Sequence, residues 1–313
     1  QKVVCLDLGE TAQLFWEEAN RVPQASFSSD APEIVPVDTL GQITGKAEGT
    51  AHITITSENR QTFVTRVEVG RGLSVRREKA VMMFTGDIMC AVKHQRLASG
   101  HQHDYFDSFR RVRDILSGAD FTAGVLETTS IDRAPFEFEQ LRLLTGAPNC
   151  NSPSTFISAV AAAGFNAVVT ANNHNSDCGV EGLKAVDSEI RRCGMLNIGS
   201  MGHSLVMTDV KGIKVAVIAA TMITNNTGWD LSKSGLVNPA GIYSRDYFTE
   251  LVNSARSMGA EFIAAYQHWG SMNSPRIRKD QAEEAQFMAD AGADLIVGSH
   301  PHMVQRFSYI GAA

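Results

Sequence analysis

Two histidines, His300 and His302, follow a short apolar segment near the end of the chain. The segment Leu295–Gly298 is apolar enough to form a buried strand, and the turn at Gly298-Ser299 would end it. Because Pro301 fixes φ between the two histidines, a shaped loop is expected there rather than a continued strand. Neutral imidazole is the commonest nitrogen ligand of metals, so the stretch is a candidate metal site. Read alone, it is equally compatible with a polar loop that happens to contain two histidines.

Polar residues also follow four other predicted strands: Asp87 after Val81–Thr85, Glu127 after Phe121–Leu126, Asn172-Asn173-His174 after Ala167–Ala171, and His268 after Phe262–Gln267. In a parallel α/β sheet, ligands bind beyond the carboxyl ends of the strands. The sequence therefore predicts that one edge of the sheet carries the metal ligands Asp87, Glu127, Asn173, His268, His300 and His302. Imidazole and oxygen donors without a thiolate suit one or two ions of Mn²⁺, Zn²⁺ or iron.

Strand and helix patterns alternate from Val81 onwards, which predicts an α/β domain with a mainly parallel sheet. The predicted strands are Val81–Thr85, Phe121–Leu126, Ala167–Ala171, Val215–Ala220, Phe262–Tyr266 and Leu295–Val297. The predicted helices are Tyr105–Leu116, Pro153–Ala163, Val180–Cys193, Tyr247–Met258 and Gln281–Ala291. Glycines that suit left-handed caps follow them, at Gly118, Gly164, Gly194, Gly259 and Gly292. The irregular segment Thr221–Arg245 is expected to be a functional loop, because loops of that length are seldom idle.

Residues 1–70 have a different texture, with short alternating runs such as Ala51–Thr56 and Thr62–Val69 separated by turn signals. This pattern predicts a small antiparallel β sandwich. Three stretches, Leu8-Gly9-Glu10-Thr11, Phe27-Ser28-Ser29-Asp30 and Gly41–Thr44 with Gly49-Thr50-Ala51, resemble motifs of the bacterial Ig-like module of group 2. That resemblance implies an extracytoplasmic location, whereas another small β domain would leave the location open. Residues 71–80 are polar and charged and are predicted to be a linker.

The composition excludes several classes of protein. A chain of 313 residues with 43% hydrophobic residues can bury a sizeable core, and its net charge of −6 gives no general attraction to nucleic acid. No apolar run is long enough for a transmembrane helix, and the glutamine at position 1 suggests that a leader or anchor was removed. The five cysteines show no metal-binding spacing, and a Cys150–Cys178 bridge has little support, so the redox compartment stays open.

Residues 81–313 resemble the CapA family of capsule and poly-γ-glutamate biosynthesis proteins. The motifs that carry the resemblance are Gly86-Asp87-Ile88-Met89, Leu126-Glu127, Ala171-Asn172-Asn173-His174 with Asp177 and Gly179, His268-Trp269-Gly270, Ala291–Asp294 and Gly298–His302. The resemblance implies a layered, calcineurin-like metallophosphoesterase fold whose metal site is lined by the six predicted ligands. It also implies catalytic roles for Asp87, which would hold the ion, and for His174, which would lie near the leaving group as a general acid.

The sequence departs from the family pattern in places. Phosphoesterases of the wider superfamily have a histidine where this chain has Met89, a poor ligand for these ions, so one of two metal positions is weakened. The family's Asn-Leu-Glu is Val125-Leu126-Glu127 here, and an acidic residue after His268-Trp269-Gly270 is missing. The family also continues with further strands beyond His302.

Two functions from different classes fit these observations. The first is a divalent-metal hydrolase, of phosphoesterase type or acting on an amide, in the synthesis or export of an anionic polymer such as poly-γ-glutamate. The second is a non-catalytic polymer-binding or export factor, which the loss of a ligand at Met89 favours. Both imply a bacterial cell-surface location with an anchor outside this chain, and a membrane-bound polymer synthase as a partner. Arg96, Trp269 and Arg306 are predicted to meet the substrate, although surface charge and core packing are the default explanations.

Overall fold

The computed structural model describes residues 3–14, 25–56, 62–71, 80–90, 104–131, 150–225 and 230–310. The chain divides into two compact units, Gln1–Lys79 and Ala80–Ala313. Among the described residues, none of the helices has the length and apolar character needed to cross a membrane.

The first unit consists of short strands: β1 (Val3–Leu6), β2 (Thr11–Gln13), β3 (Ser26–Ser29), β4 (Gln42–Thr44), β5 (Gly49–Thr56) and β6 (Thr62–Val69). Four of them form a sheet in the order β1-β6-β5-β3, and β2 pairs with β4. β1 and β6 are parallel, while the other pairs are antiparallel. Alternate residues of β5, Ala51, Ile53 and Ile55, are buried, as the period-two pattern predicts. The assignment to the Ig-like module stays a prediction.

The residues described for the second unit form two four-stranded sheets rather than the single sheet that the sequence predicts. The first sheet has the order β10-β9-β8-β7 and is parallel throughout. Its strands are β7 (Met82–Ile88), β8 (Phe121–Leu126), β9 (Ala167–Val169) and β10 (Leu196–Ile198). The second has the order β11-β12-β13-β14, and only its β11–β12 pair is antiparallel. Its strands are β11 (Leu205–Val210), β12 (Ile213–Thr221), β13 (Phe262–His268) and β14 (Leu295–Ser299).

In the described part of this unit, five α-helices accompany the two sheets: α1 (Arg113–Leu116), α2 (Ser154–Ala162), α3 (Gly179–Arg192), α4 (Arg245–Ser257) and α5 (Lys279–Ala291). Apolar residues of α2 and α3, such as Ile157 and Val186, pack with Leu126 of the first sheet. Those of α4 and α5, such as Phe248 and Met288, pack on the second sheet. The two sheets share a third core, which includes Ala123 and Val217. The layers are therefore helices, sheet, sheet and helices, which confirms the predicted α/β class.

The strands alternate between these cores. Val215, Val217 and Ala219 of β12 face the core between the sheets, whereas Ala216 and Ile218 face the helices. Both faces are apolar, so the strand forms a continuous apolar run. This explains why the sequence predicts the strand but does not tell which layer covers each face.

One predicted helix is wrong, and the prediction lacks two strands. The segment Tyr105–Leu116 is not one helix but a 3-10 turn, Phe106–Phe109, followed by α1. Tyr105 and Phe109 both form ring contacts with Phe156, at centroid distances of 5.8 and 6.3 Å, and this packing overrides the helical periodicity. Two strands, β10 and β11, are missing from the predicted set.

Four of the five predicted glycine caps adopt left-handed backbone angles: Gly164, Gly194, Gly259 and Gly292. Gly118 does not, and the prediction of a left-handed cap there is wrong. Helix α1 is only one turn long and already ends at Ser117, whose N–H donates to the Arg113 carbonyl at 2.9 Å. No left-handed residue is therefore needed to close it.

Candidate metal centre

The six predicted ligands lie together at the ends of strands from both sheets, and we call them the rim cluster: Asp87, Glu127, Asn173, His268, His300 and His302. One group of close donor atoms comes from Glu127, His268 and His300, and a second from Asp87, Glu127 and His302. Within each group all donor atoms lie within 4.8 Å of one another. Glu127 belongs to both groups, so the arrangement offers two adjacent cation positions that share one carboxylate.

Asp87 reaches the cluster from a bulge inside β7, not from the loop after a strand. Phe84 pairs with Ala123, but Asp87 rather than Gly86 pairs with Val125, so one extra residue is inserted. A bulge of this kind bends the strand and re-aims its side chains. Next to it, the Tyr266 hydroxyl donates to the Thr85 carbonyl. The predicted strand Val81–Thr85 is thus too short, and the bulge places Asp87 opposite β8.

Glu127 directly follows β8 and is 1% exposed. Its backbone N–H donates to the Ile88 carbonyl at 3.0 Å, which continues the pairing with β7 and keeps Glu127 beside Asp87. Two carboxylate oxygens, Asp87 Oδ1 and Glu127 Oε2, are buried and have no hydrogen-bond partner among the described residues. Buried carboxylate oxygens without partners are costly, and a bound cation would remove that cost.

His268 is the last residue of β13 and is 1% exposed. Its Nδ1 lies 2.9 Å from Ser299 Oγ, and its Nε2 lies 2.7 Å from Asn173 Oδ1 and 3.1 Å from His300 Nδ1. Metal-bound histidines typically donate their second ring N–H to an oxygen acceptor that fixes the ring. Ser299 provides such a contact, because β13 and β14 pair in parallel with His268 opposite Ser299.

His300 and His302 lie in a loop with an unusual backbone. Their φ angles are +90° and +55°, and Asn273, whose N–H donates to the Pro301 carbonyl at 2.7 Å, has φ +59°. Such angles are strained for residues other than glycine and are frequent at functional sites. The loop is further held by the His300 N–H, which donates to Asp87 Oδ2 at 3.1 Å. His302 Nε2 lies 3.7 Å from Asp87 Oδ2 and 3.6 Å from Glu127 Oε2.

The electrostatics of the rim cluster fit a cation. Burial, reinforced by the nearby Asp87 carboxylate, raises the pKa of Glu127 to about 7, and burial also raises the pKa of Asp87. Burial and the neighbouring imidazoles lower the pKa of His268 to about 2 and also lower the pKa of His300. Neutral imidazoles are the form that binds metal. A cation at the rim cluster would favour the ionised form of both carboxyl groups.

His174 lies beside this cluster in the buried turn after β9. The Asn172 side chain shapes the turn: its Nδ2 donates to the Leu126 carbonyl and its Oδ1 accepts from the His174 N–H, both at 2.9 Å. His174 Nε2 faces Glu127 Oε1 at 4.0 Å, and its Nδ1 lies 2.8 Å from Asp177 Oδ2.

Burial alone lowers the pKa of the His174 imidazole. The hydrogen bond to the Asp177 carboxylate and the contact with Cys150 outweigh that effect and raise the pKa of His174 to about 10. The ring therefore carries two protons at neutral pH. Because Asp177 holds Nδ1, the other ring nitrogen, Nε2, points to Glu127. A protonated imidazole in this place can act as a proton donor.

An open cleft of about 470 Å³ adjoins the cluster through Asn173. Its walls are the turn at residues 172–176 and parts of the predicted functional loop Thr221–Arg245, including Asn225 and Asn238. Asn225 also connects the cleft to the cluster, because its Oδ1 accepts from Asn173 Nδ2 at 3.3 Å. The described part of this loop thus lines space next to the candidate ligands.

A sequence profile described as "Bacterial capsule synthesis protein PGA_cap" matches residues 81–312. The chain belongs to this bacterial capsule synthesis family. The family resemblance inferred from the strand-end motifs is thereby confirmed, and the PGA_cap region coincides with the unit that carries the rim cluster.

Two curated relatives of this PGA_cap chain are similar over most of its length. The capsule biosynthesis protein CapA of Bacillus anthracis is 27% identical over 266 residues, which are 79% of this chain and 60% of that protein. The PGA biosynthesis protein CapA of Bacillus subtilis (strain 168) is 26% identical over 235 residues, 71% of this chain and 57% of that protein. This chain therefore spans less than two thirds of either relative.

Among solved structures, a hypothetical protein from Thermus thermophilus is similar to 70% of this chain and 67% of its own, with 14% identity and a TM-score of 0.37. A TM-score this low does not establish a shared fold.

The predicted substrate-binding residues lie in different surroundings. Trp269 is 6% exposed and packs in the core between the second sheet and its helices. Core packing is the default explanation for this residue. Arg306 is exposed, and Arg96 lies outside the described residues. Contact of these three with substrate stays a prediction.

The sequence does not predict the contacts that Asp177, Ser299 and Tyr266 make with His174, His268 and the Thr85 carbonyl. The spacing His174-x-x-Asp177 is a local signal that could have revealed the first, since both residues lie in one turn. Ser299 and Tyr266 act through strand pairing, which gives no local signal.

Proposed function

We propose that this protein is a divalent-metal hydrolase of the phosphoesterase type. The observation that carries the proposal is the pair of buried oxygens, Asp87 Oδ1 and Glu127 Oε2, which have no hydrogen-bond partner among the described residues and lie beside the imidazoles of His268 and His302. Oxygen and imidazole donors without a thiolate suit Mn²⁺, Zn²⁺ or iron. When bound, such an ion polarises a phosphoryl oxygen and lowers the pKa of a water molecule.

The residues of the chain supply the remaining functions. Asp87, Glu127, Asn173, His268, His300 and His302 hold the one or two ions. His174 keeps a proton on the nitrogen that faces Glu127, because Asp177 occupies the other nitrogen, and it gives this proton to the leaving oxygen. The cleft at Asn173 and Asn225 accepts the part of the substrate next to the phosphate.

The comparisons support a biological setting for this activity. The relatives are named for capsule and PGA biosynthesis, so the setting we propose is the synthesis or export of an anionic polymer, such as poly-γ-glutamate, in the cell envelope. A cell-surface location, a membrane-bound synthase as partner and an Ig-like module at residues 1–70 belong to the same proposal. Nucleic acid is not expected as a partner, given the net charge of −6.

Metal content and Mn²⁺ affinity test the proposal directly. Purified protein, stripped with a chelator, should bind Mn²⁺ at micromolar concentrations or tighter in calorimetric titration. The variant His300→Ala should bind at least about tenfold more weakly, since loss of even an outer partner of a ligand costs 10–100-fold. His203→Ala is the matched control, because His203 pairs with Asp187 and Arg191 instead. Equal affinities of His300→Ala and wild type would refute the metal centre.

Activity then separates the hydrolase from the second candidate function, a polymer-binding or export factor. Met89 stands where phosphoesterases of the wider superfamily have a histidine, and methionine is a poor ligand for these ions. The missing histidine ligand favours the second function. Metal-loaded protein is assayed against a panel of phosphomonoesters and phosphodiesters, with poly-γ-glutamate as a competitor. Hydrolysis that His174→Ala reduces by about 10²-fold or more supports the hydrolase. Metal-dependent binding of poly-γ-glutamate without hydrolysis of any ester would support the binding factor.

A further inference from the structure

A further group of donor atoms, outside the rim cluster, comes from Cys150, His174 and Asp177. We call these three residues the thiol cluster. One donor atom from each residue lies within 4.8 Å of the other two. Unlike the rim cluster, this group contains a sulfur. It does not belong to the predicted metal site, for which only oxygen and nitrogen donors were expected.

The thiol cluster is held in place before any ligand arrives. Asp177 Oδ2 accepts from the Cys150 N–H at 2.6 Å and lies 2.8 Å from His174 Nδ1. Thr129 fixes Cys150 from the other side, because its N–H and its hydroxyl donate to the Cys150 carbonyl at 2.9 and 3.0 Å. His174 and Asp177 are 7% and 3% exposed, while Cys150 is half-buried. The donor atoms of the thiol cluster are therefore oriented by the protein itself.

The donor types of the thiol cluster differ from those of the rim cluster by one sulfur. One thiolate, one imidazole and one carboxylate form a three-ligand set of the kind that holds zinc with a fourth position open. Thiolate favours thiophilic ions, whereas carboxylate, amide and imidazole oxygens and nitrogens also accept Mn²⁺. We infer that Cys150, His174 and Asp177 form a second, separate cation site, which takes a thiophilic divalent ion such as Zn²⁺.

An ion in the thiol cluster would affect the rim cluster through one shared side chain. His174 turns Nδ1 to Asp177 and Nε2 to Glu127. The ion would bind Nδ1 in place of the hydrogen bond to Asp177, so it would change the contact that orients the ring towards Glu127. If the proposed hydrolase activity holds, Zn²⁺ at the thiol cluster inhibits it by turning His174 away from the rim cluster, while Mn²⁺ at the rim cluster supports it. Ion binding itself does not depend on that activity.

Co²⁺ is the probe, because a thiolate ligand gives it a charge-transfer band in the near ultraviolet that oxygen and nitrogen ligands do not give. The full chain, reduced and stripped of metal, is titrated with Co²⁺ and then with competing Zn²⁺. We expect wild type to show the band, Zn²⁺ to remove it, and Cys150→Ser to lack it. Cys193→Ser is the matched control and should keep the band, since Cys193 is also half-buried but contacts Ser158.

Two further variants make the result independent of any single substitution. Asp177→Asn should weaken Co²⁺ binding, measured at the charge-transfer band, by at least about tenfold. His300→Ala should leave the band unchanged while weakening Mn²⁺ binding, which separates this inference from the proposed function. The inference is overturned if wild type shows no charge-transfer band, even where visible bands report bound Co²⁺, or if Cys150→Ser retains the band. Circular dichroism of each variant confirms that it is folded.

Discussion

Glu127 is the residue on which both cation positions of the rim cluster depend, because its carboxylate belongs to both donor groups. It is almost fully buried, and burial together with Asp87 raises the pKa of Glu127 to about 7. In the metal-free protein at pH 5.5, Glu127 is therefore mostly protonated, while the low pKa of His268 leaves that ring neutral. A bound ion must displace the carboxyl proton but no proton from His268.

A pH dependence of metal affinity follows from this protonation state. Mn²⁺ affinity should rise by about tenfold per pH unit from pH 5.5 towards 7 and level off above it, because binding releases the Glu127 proton only below its pKa. Calorimetric titrations in buffers of different ionisation enthalpy measure both the affinity and the number of protons released. At pH 6 about one proton should leave per ion bound, and at pH 8 close to none.

Glu127→Gln is the control for this pH dependence. Glutamine has nearly the same shape but does not titrate, so residual Mn²⁺ binding should be weaker and should lose the steep rise between pH 5.5 and 7. A variant that keeps the wild-type slope would show that another group releases the proton.

At the scale of elements, the bulge in β7 is what gives Asp87 its direction. The Tyr266 hydroxyl donates to the Thr85 carbonyl next to the bulge, and the Tyr266 ring packs on Phe84 at a centroid distance of 5.8 Å. Tyr266→Phe keeps the ring and removes only the hydroxyl. It should lower the free energy of unfolding by about 0.5–1.5 kcal/mol, the net contribution of a typical hydrogen bond, because the Thr85 carbonyl is only partly buried. Mn²⁺ affinity should also fall, because the strand that carries Asp87 is no longer fixed.

The matched control is Tyr243→Phe. The Tyr243 hydroxyl donates to Glu284 at 2.7 Å, between the start of α4 and α5 and outside the rim cluster. This variant should change the free energy of unfolding, measured by urea denaturation, without changing Mn²⁺ affinity. If both variants bind Mn²⁺ as wild type does, Tyr266 stabilises the fold but does not position Asp87.

Strand ends were predictable because the residues there change abruptly from apolar to polar, as at Leu126-Glu127 and Val169–Asn172. The positions of the six rim-cluster residues could therefore be predicted from the sequence without knowing how the sheets pack, and their role as ligands stays a prediction. The bulge at Gly86-Asp87 could not, since it arises from pairing with β8, and Gly86 and Asp87 alone predict only a turn. Strand β10 is three residues long, too short to give a periodic signal.

At the scale of the molecule, the rim cluster exists only because two sheets end at the same place. Asp87, Glu127 and Asn173 come from the first sheet and its loops, whereas His268, His300 and His302 come from the second. The sequence predicts one sheet, because parallel strands with apolar residues on both faces look the same whether a helix or another sheet covers them. An ion at the rim cluster would tie the two sheets together.

Metal-linked stability tests this arrangement. The unit Gln1–Lys79 has its own apolar core around Ile43 and Ile53, so we expect the two units to unfold in separate calorimetric transitions. With free Mn²⁺ at 100 times its dissociation constant, the free energy of unfolding of Ala80–Ala313 should rise by about 2.7 kcal/mol. The transition of Gln1–Lys79 should not move, because none of the six ligands belongs to that unit.

The variants used for binding also serve here. At the same Mn²⁺ concentration His300→Ala should lose at least about half of the Mn²⁺-dependent shift, because tenfold weaker binding lowers the stabilisation to about 1.4 kcal/mol, whereas His203→Ala should keep the full shift. A shift of both transitions would mean that Mn²⁺ acts on the whole chain through weak sites rather than at the rim cluster. An unchanged Ala80–Ala313 transition at saturating Mn²⁺ would contradict the tie between the two sheets, because an ion that binds only the folded unit must stabilise it.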